Sequence, residues 1–342
     1  MIFFGAPSVF VSAQEKNWEK LPPFPEKLGR AGMNAGVSGE LLFCMGGTNF
    51  PDKMPWKGGK KKWYDDIYVL RNKKWIRLNK KLSRPLAYGV SVSYNNKIII
   101  AGGNDSSQDL SQVVAYLQKG DDLQMETLPE LLIPLSYATG GLVGDLFIVA
   151  GGKSKGLATN RCFVMDLNNI SKGWVELDPI PGKTRSLALS TSYQGNFYLF
   201  GGETDGITHS GTSYSEILQD AYVLEISNHG DRWKGNWHKL APMPKAMAAG
   251  GFPLPVLQNG DFFFWGGIDG VSALHKNPET EVDVAGSVLL YHPASDTWDF
   301  GNSIWQVPAA VTLPVVHWKD KWVYISGEIR AGVRTLSVTA IK

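Results

Sequence analysis

The sequence predicts an all-β chain folded as a six-bladed β-propeller. Three observations predict it. Five apolar runs end in a glycine pair (Gly46-Gly47, Gly102-Gly103, Gly151-Gly152, Gly201-Gly202 and Gly266-Gly267), and a sixth ends in Ser326-Gly327. These runs recur roughly every 50 to 65 residues, near the period of a four-stranded repeat. No long window shows the periodicity of a helix, while glycine (38 residues) and tryptophan (12) supply tight turns and bulky strand side chains.

Each repeat reads alike. A small-residue strand comes first, as in Ala87 to Tyr94, and the Asn95-Asn96-Lys97 turn follows. The apolar strand Ile98-Ile99-Ile100-Ala101 then reaches Gly102-Gly103. A variable loop leads to a third strand, Val113 to Leu117, and a fourth is marked in other repeats by a tryptophan: Trp75, Trp174 and Trp237. Small residues suit the crowded strands nearest an axis, and the glycines allow a positive φ and a close neighbour. This is the kelch pattern. The last repeat has one strand left after Arg334, Leu336 to Ile341, and lacks its tryptophan strand. The N-terminus offers one, Trp18-Glu19-Lys20-Leu21, so the first strand is expected to close the last blade and remove its open edge. Residues 14–342 are therefore expected to form one domain.

The N-terminus carries a second expectation. Ile2 to Ala13 is apolar and rich in small residues, and Val11-Ser12-Ala13 resembles a signal-peptidase site, although a basic leading segment is missing. Residues 1–13 are read as the remnant of an export signal, which places the protein in the periplasm or outside the cell. A net charge of +2 gives no argument for nucleic acid, and no other apolar run approaches the ~18 residues of a membrane span. Cys44 and Cys162 lie within apolar runs of different repeats and read as buried thiols.

Loops after the second strand and loops entering the first share one face of a propeller. The residues after the glycine pairs are Thr48, Asn104, Lys153, Glu203 and Ile268, with Glu328 after Ser326-Gly327, and Asn49 and Tyr88 lie beside them. Arg30, Arg84, Arg185 and Lys245 precede the inner strands. Carboxylates and amides would then meet guanidinium groups at one mouth, a polar pocket with acid–base groups and anion clamps. The alternative is plain turn chemistry and solvated arginines. Long loops cover the same face, among them Pro51 to Tyr64 with Lys60-Lys61-Lys62, which reads as a solvated run or as a steering charge for an anion. No histidine pair has metal-ligand spacing, and His317, on an inner strand, reads as structural with channel lining as the alternative. Gly152-Lys153-Ser154-Lys155-Gly156 matches a nucleophile elbow in letters only, since no helix follows. No cofactor or metal motif is found.

Two segments carry a resemblance. Ser326-Gly327-Glu328-x-x-x-Gly332-x-Arg334-Thr335 resembles the Gly-Glu…Gly-x-Arg-Thr motif of the N-acetylneuraminate epimerases, the sialic acid mutarotases, which are kelch propellers. Ala87-Tyr88-Gly89-Val90-Ser91, followed by Asn95-Asn96 and the run to Gly103, resembles a second segment of that family. Their order here is rotated, as in the cyclically permuted mutarotase branch, and a ring of blades tolerates such a rotation. The resemblance implies a sugar-acid substrate, interconversion of its anomers, and a catalytic pair at Glu328 and Arg334. Arg84, Arg185, Arg30, Asn49, Asn104, Glu203 and Tyr88 are the substrate-binding candidates. Glu328 is expected to be the base and Arg334 to face the substrate rather than Glu328, with Glu203 the second choice of acid. The alternative is a propeller that binds a glycan or protein without chemistry. A copper oxidase is a third reading, without a metal site that these spacings assemble.

Overall fold

The computed structural model describes residues 18–120, 122–207, 213–230, 232–270, 277, 279, 284–302 and 309–342. The expected export segment lies outside them. Among the described residues no helix is long and apolar enough to cross a membrane.

Six antiparallel sheets follow one another along the chain. Blade one is Asn34–Ser38, Leu41–Met45, Asp66–Arg71 and Lys74–Lys81, paired in chain order. Blades two, three and four repeat that order, from Val90–Tyr94, Thr139–Val143 and Leu189–Tyr193 outward. Blade five keeps three strands, Phe262–Trp265, Ser287–His292 and Thr297–Asn302. Its innermost segment is irregular for a local reason: Pro253 and Pro255 have no N–H to give a ladder. Phe263 still donates to the Pro255 carbonyl at 2.9 Å, so the segment keeps its place.

Blade six is Val315–Trp318, Lys321–Ile325 and Val338–Ile341, and its fourth strand is Glu19–Lys20. Glu19 lies opposite Ala340 and Lys20 opposite Thr339. The Leu21 and Phe24 amides extend the seam to the Val338 and Leu336 carbonyls, both at 2.9 Å. Trp18 packs against Trp265 at 4.8 Å and Tyr324 at 5.2 Å between ring centroids. The first strand thus completes the last blade, as the missing tryptophan strand predicted.

Two rings of backbone hydrogen bonds tie the blades together. The second glycine of each pair donates to the neighbouring blade: Gly47 to Leu86, Gly103 to Leu135, Gly152 to Arg185, Gly202 to Met247, Gly267 to Ala310 and Gly327 to Arg30, at 2.7 to 3.2 Å. A Cβ on Gly46 would come within 2.1 Å of the Leu86 oxygen, so this approach admits only glycine. The inner ring runs through one residue per blade. Tyr88 donates to Gly32, Tyr137 to Tyr88, Leu187 to Tyr137, Ala249 to Leu187, Thr312 to Ala249 and Gly32 to Thr312, at 2.7 to 3.0 Å. All six have a positive φ, between 50° and 63°. This belt lines the central channel, with Met33, Ser91, Phe252 and Pro314 among its neighbours.

The tryptophans of the outer strands act between blades. Trp75, Trp174, Trp237 and Trp298 each donate an indole N–H to a carbonyl in the link from the preceding blade: Pro22, Pro129, Asp178 and Ala241. Each buries an aromatic face at the seam and satisfies its one donor there.

Candidate active site

The six positions read from the glycine pairs are equivalent in space. Thr48, Asn104, Lys153, Glu203 and Glu328 form antiparallel bridges with Ala31, Ala87, Ser136, Ser186 and Val311, each the residue before the inner belt. Ile268 pairs with Ala248 in the same way. One residue on, each chain enters the belt at the channel mouth.

Glu328–Arg330 turns back on Val333–Arg334 through Gly332, whose φ is +75°. The register places Glu328 directly opposite Arg334. Cross-strand neighbours of opposite charge attract, and here the Arg334 Nη2 lies 2.6 Å from Glu328 Oε2. The Gly332 amide donates to the other carboxylate oxygen at 3.2 Å. Arg334 therefore does pair with Glu328, contrary to the expectation that it would face substrate alone. Its fork is only partly used, however. The Arg334 side chain is 4% exposed, and its Nε and Nη1 are buried with no hydrogen-bond partner among the described residues. Phe50 lies under the guanidinium at 5.0 Å. Buried charged donors left unmade are costly, so this guanidinium is built to take a further acceptor.

Tyr88 stands beside this pair. Its hydroxyl lies 2.9 Å from the Thr48 hydroxyl, and its ring is 4.3 Å from that of Tyr137. Burial raises the phenol's pKa, with Thr48 and Arg334 pulling the other way and Glu328 adding to the rise. Tyr137 is raised for the same first reason, burial. Lys61 stands over three rings of the mouth: Tyr88 at 5.4 Å, Trp63 at 5.6 Å and Phe50 at 6.0 Å. The middle lysine of the basic run is thus half-buried over the site rather than freely solvated. Trp63 in turn donates its indole N–H to Asn104 Oδ1 at 2.9 Å.

The loop that carries Lys61 closes against the Glu328 hairpin. A Cβ on Gly332 would fall 2.6 Å from Pro55 Cδ and 3.2 Å from the Trp56 ring. Trp56 donates to the Glu279 carboxylate at 2.8 Å, and Arg330 to the Glu279 carbonyl at 2.8 Å. Residues of blade one (Pro55 and Trp56) and Glu279 therefore meet the hairpin of blade six that carries Glu328 and Arg334.

Three substrate-binding candidates are structural. Arg30 is 1% exposed and Arg185 0%. Arg30 donates to the Gly46 carbonyl and to Asp66, and Arg185 to the Gly201 carbonyl and to both oxygens of Asp220. Both turn inward and staple their own blade, so neither reaches the mouth. Asn49 is also spent on the fold: its amide donates to the Gly29 carbonyl and its oxygen accepts from Tyr64. Glu203 accepts from Ser215 of its own hairpin. Arg84 lies half-open at the rim of blade two, 3.3 Å from Asp105. His317 is exposed and packs on Trp322 at 4.9 Å, outside the channel lining. Gly152 to Gly156 is a hairpin loop, as its letters in context required.

Phe50 and Tyr137 were missed from sequence. Tyr137 had a signal: Leu86-Ala87-Tyr88 and Leu135-Ser136-Tyr137 occupy the same place in adjacent repeats.

The comparisons come from the other end of the chain. Residues 6–125 match the family model described as N-acetylneuraminate epimerase. The N-acetylneuraminate epimerase of Haemophilus influenzae (strain 86-028NP) is 34% identical over 130 residues, 34% of each chain. That of Salmonella enteritidis PT4 (strain P125109) is 36% identical over 117 residues, 30% of each chain. The matched segment spans about a third of the length of these relatives. A solved structure described as "Structure of YjhT" covers 93% of this chain and 95% of its own, with a TM-score of 0.65 at 14% identity, and shares the fold. The chain is thus a six-bladed β-propeller, and its residues 6–125 are similar in sequence to the N-acetylneuraminate epimerase family.

Proposed function

We propose that this propeller is an isomerase that interconverts the anomers of a sialic acid, N-acetylneuraminate in the first instance. One observation carries the reading: a buried guanidinium with two unspent donor nitrogens stands beside a carboxylate at the mouth of the channel. A sugar acid presents the complementary groups, a carboxylate for Arg334 and an anomeric hydroxyl for Glu328. The names of the partial relatives support the same substrate class.

The chemistry asked of the site is modest. Mutarotation removes a proton from the anomeric hydroxyl, opens the ring and closes it on the other face. It proceeds without a catalyst, so a positioned base giving ~10²- to 10⁴-fold is useful by itself. Glu328 is held in place by Arg334 and the Gly332 amide, which fix its orientation. The remaining guanidinium donors bind the substrate carboxylate, and Lys61 adds a second positive charge above the mouth. Proton NMR of freshly released α-N-acetylneuraminate, with and without the protein, tests the reading. Faster approach to the anomeric equilibrium is expected. An unchanged rate would leave the non-catalytic propeller that holds a glycan or a protein on the same rim.

A further inference from the structure

Tyr88 is one of two tyrosines in the inner belt, and the one whose hydroxyl meets Thr48 and feels both charges of the Glu328–Arg334 pair. The other five belt positions hold Gly32, Tyr137, Leu187, Ala249 and Thr312. A left-handed backbone is uncommon for any residue with a side chain and more so for a bulky one. At Tyr88, with φ +58°, it directs a full aromatic ring across Gly32, where a Cβ would meet that ring at 2.4 Å. The glycine leaves room for the tyrosine of the next blade. The ring stacks on Tyr137, and the hydroxyl is fixed by Thr48 from a third strand system. An outlier backbone held by this many contacts is a reason to ask what the side chain does.

Resting on the anomer-interconverting reading above, we propose that Tyr88 is the acid of the reaction: its phenol protonates the ring oxygen while Glu328 takes the proton of the anomeric hydroxyl. Both charges of the Glu328–Arg334 pair act on this phenol. The step balances within the site. The anomeric O–H proton moves to Glu328, a carbonyl forms, and the ring C–O electron pair passes to the ring oxygen, which takes the Tyr88 proton. After rotation beside the open carbonyl, that hydroxyl attacks the other face and returns its proton to Tyr88. Glu328 then protonates the carbonyl oxygen. Nothing is oxidised or reduced, and no co-reactant is consumed.

The environment suits the role. Burial keeps the phenol protonated, so it enters the cycle as a donor. An alkoxide is a stronger base than a phenolate, so transfer to the opening ring oxygen runs downhill. The transient phenolate then lies beside the Arg334 guanidinium and below the Lys61 ammonium, which stabilise negative charge where it develops. Arginine itself is too weak an acid to serve.

Tyr88→Phe removes only the hydroxyl and keeps the ring and the belt. Following α-anomer conversion by NMR at several substrate concentrations, kcat is expected to fall about 10²-fold, with KM within about twofold of the wild type. An unchanged kcat, or a loss confined to KM, would overturn the assignment while the isomerase reading stands on the wild-type rate. No acceleration by the wild type overturns both. Should Tyr88→Phe not fold, Thr48→Val carries the test by removing the hydroxyl that fixes the phenol. A several-fold fall in kcat at constant KM is then expected, and an unchanged kcat overturns the assignment.

Discussion

At the scale of the residue, the ion pair of Glu328 and Arg334 is the centre of the proposed site, and its two members predict different failures. Glu328→Gln keeps the shape and one acceptor for the guanidinium but cannot take a proton. Turnover should fall on the order of 10²-fold or more if general-base catalysis is the main term. The fold should survive, because the Gly332 amide and the hairpin ladder still hold the turn. Arg334→Lys keeps the charge and loses the planar fork, so the two donors that now lack partners cannot be reproduced in place. Its KM should rise more than its kcat falls. Saturation curves of the two variants separate these outcomes, and a Glu328→Gln protein with unchanged turnover would remove Glu328 as the base.

At the scale of the blade, the arginines of blades one and four are internal staples. Arg30 meets Asp66 and Arg185 meets Asp220, each arginine also holding the carbonyl of the first glycine of its pair. Blade two holds Leu86 and Gln112 at the same two places, Leu86 buried and Gln112 accepting from the Gly102 amide through its backbone carbonyl. Breaking one partner of a buried pair costs more than replacing both. Asp220→Gln alone should therefore lower Tm more than the double change Arg185→Leu with Asp220→Gln, which copies blade two. Equal melting of the two variants would count against the staple. Burial opposes ionisation of Asp66 and Asp220, yet Arg30 and Arg77 hold the first, and Arg185 the second, below the usual carboxylate range. Their folded pKa values are thus depressed, so their contribution is present above the unfolded value of about 3.9. It drains as the pH falls through the lowered folded values. These staples also show where sequence reading stopped. Position before the inner strand was legible, but the direction of a side chain was not, and inward and outward arginines look alike in one repeat. The signal lay between repeats: an aspartate stands at or just before the start of the third strand in both blades that carry the arginine. Glu328 and Arg334 were singled out by their resemblance to a family motif, and the hairpin register that sets them opposite each other was not anticipated. Tyr88 was legible from the sequence, but its stacking on Tyr137 depends on belt geometry that no single repeat announces.

At the scale of the molecule, both backbone rings are cyclic, so each blade is held from two sides and the seam between the last blade and the first decides whether the ring exists. Gly327 to Arg30 and Gly32 to Thr312 cross that seam through the backbone. Ser326 adds its hydroxyl, which accepts from the Arg30 amide and donates to the Thr335 carbonyl. The Glu19–Lys20 strand covers the otherwise open edge of Val338–Ile341, all four of whose residues are buried. Trp18 and Phe24 flank it, Trp18 between blades five and six, Phe24 against Tyr68 and Trp75 of blade one. Deleting residues 1–25 removes the strand and both aromatics. Losing a well-packed Phe or Trp side chain costs about 3–5 kcal/mol. The unpaired edge adds to that loss and offers a template for association between chains. The truncated protein should melt on the order of 10 °C lower, over a broader range, and show concentration-dependent light scattering. A truncated chain that melts as sharply and as hot as the full one would mean that the blades close without their first strand, and that the two backbone rings alone hold the propeller shut.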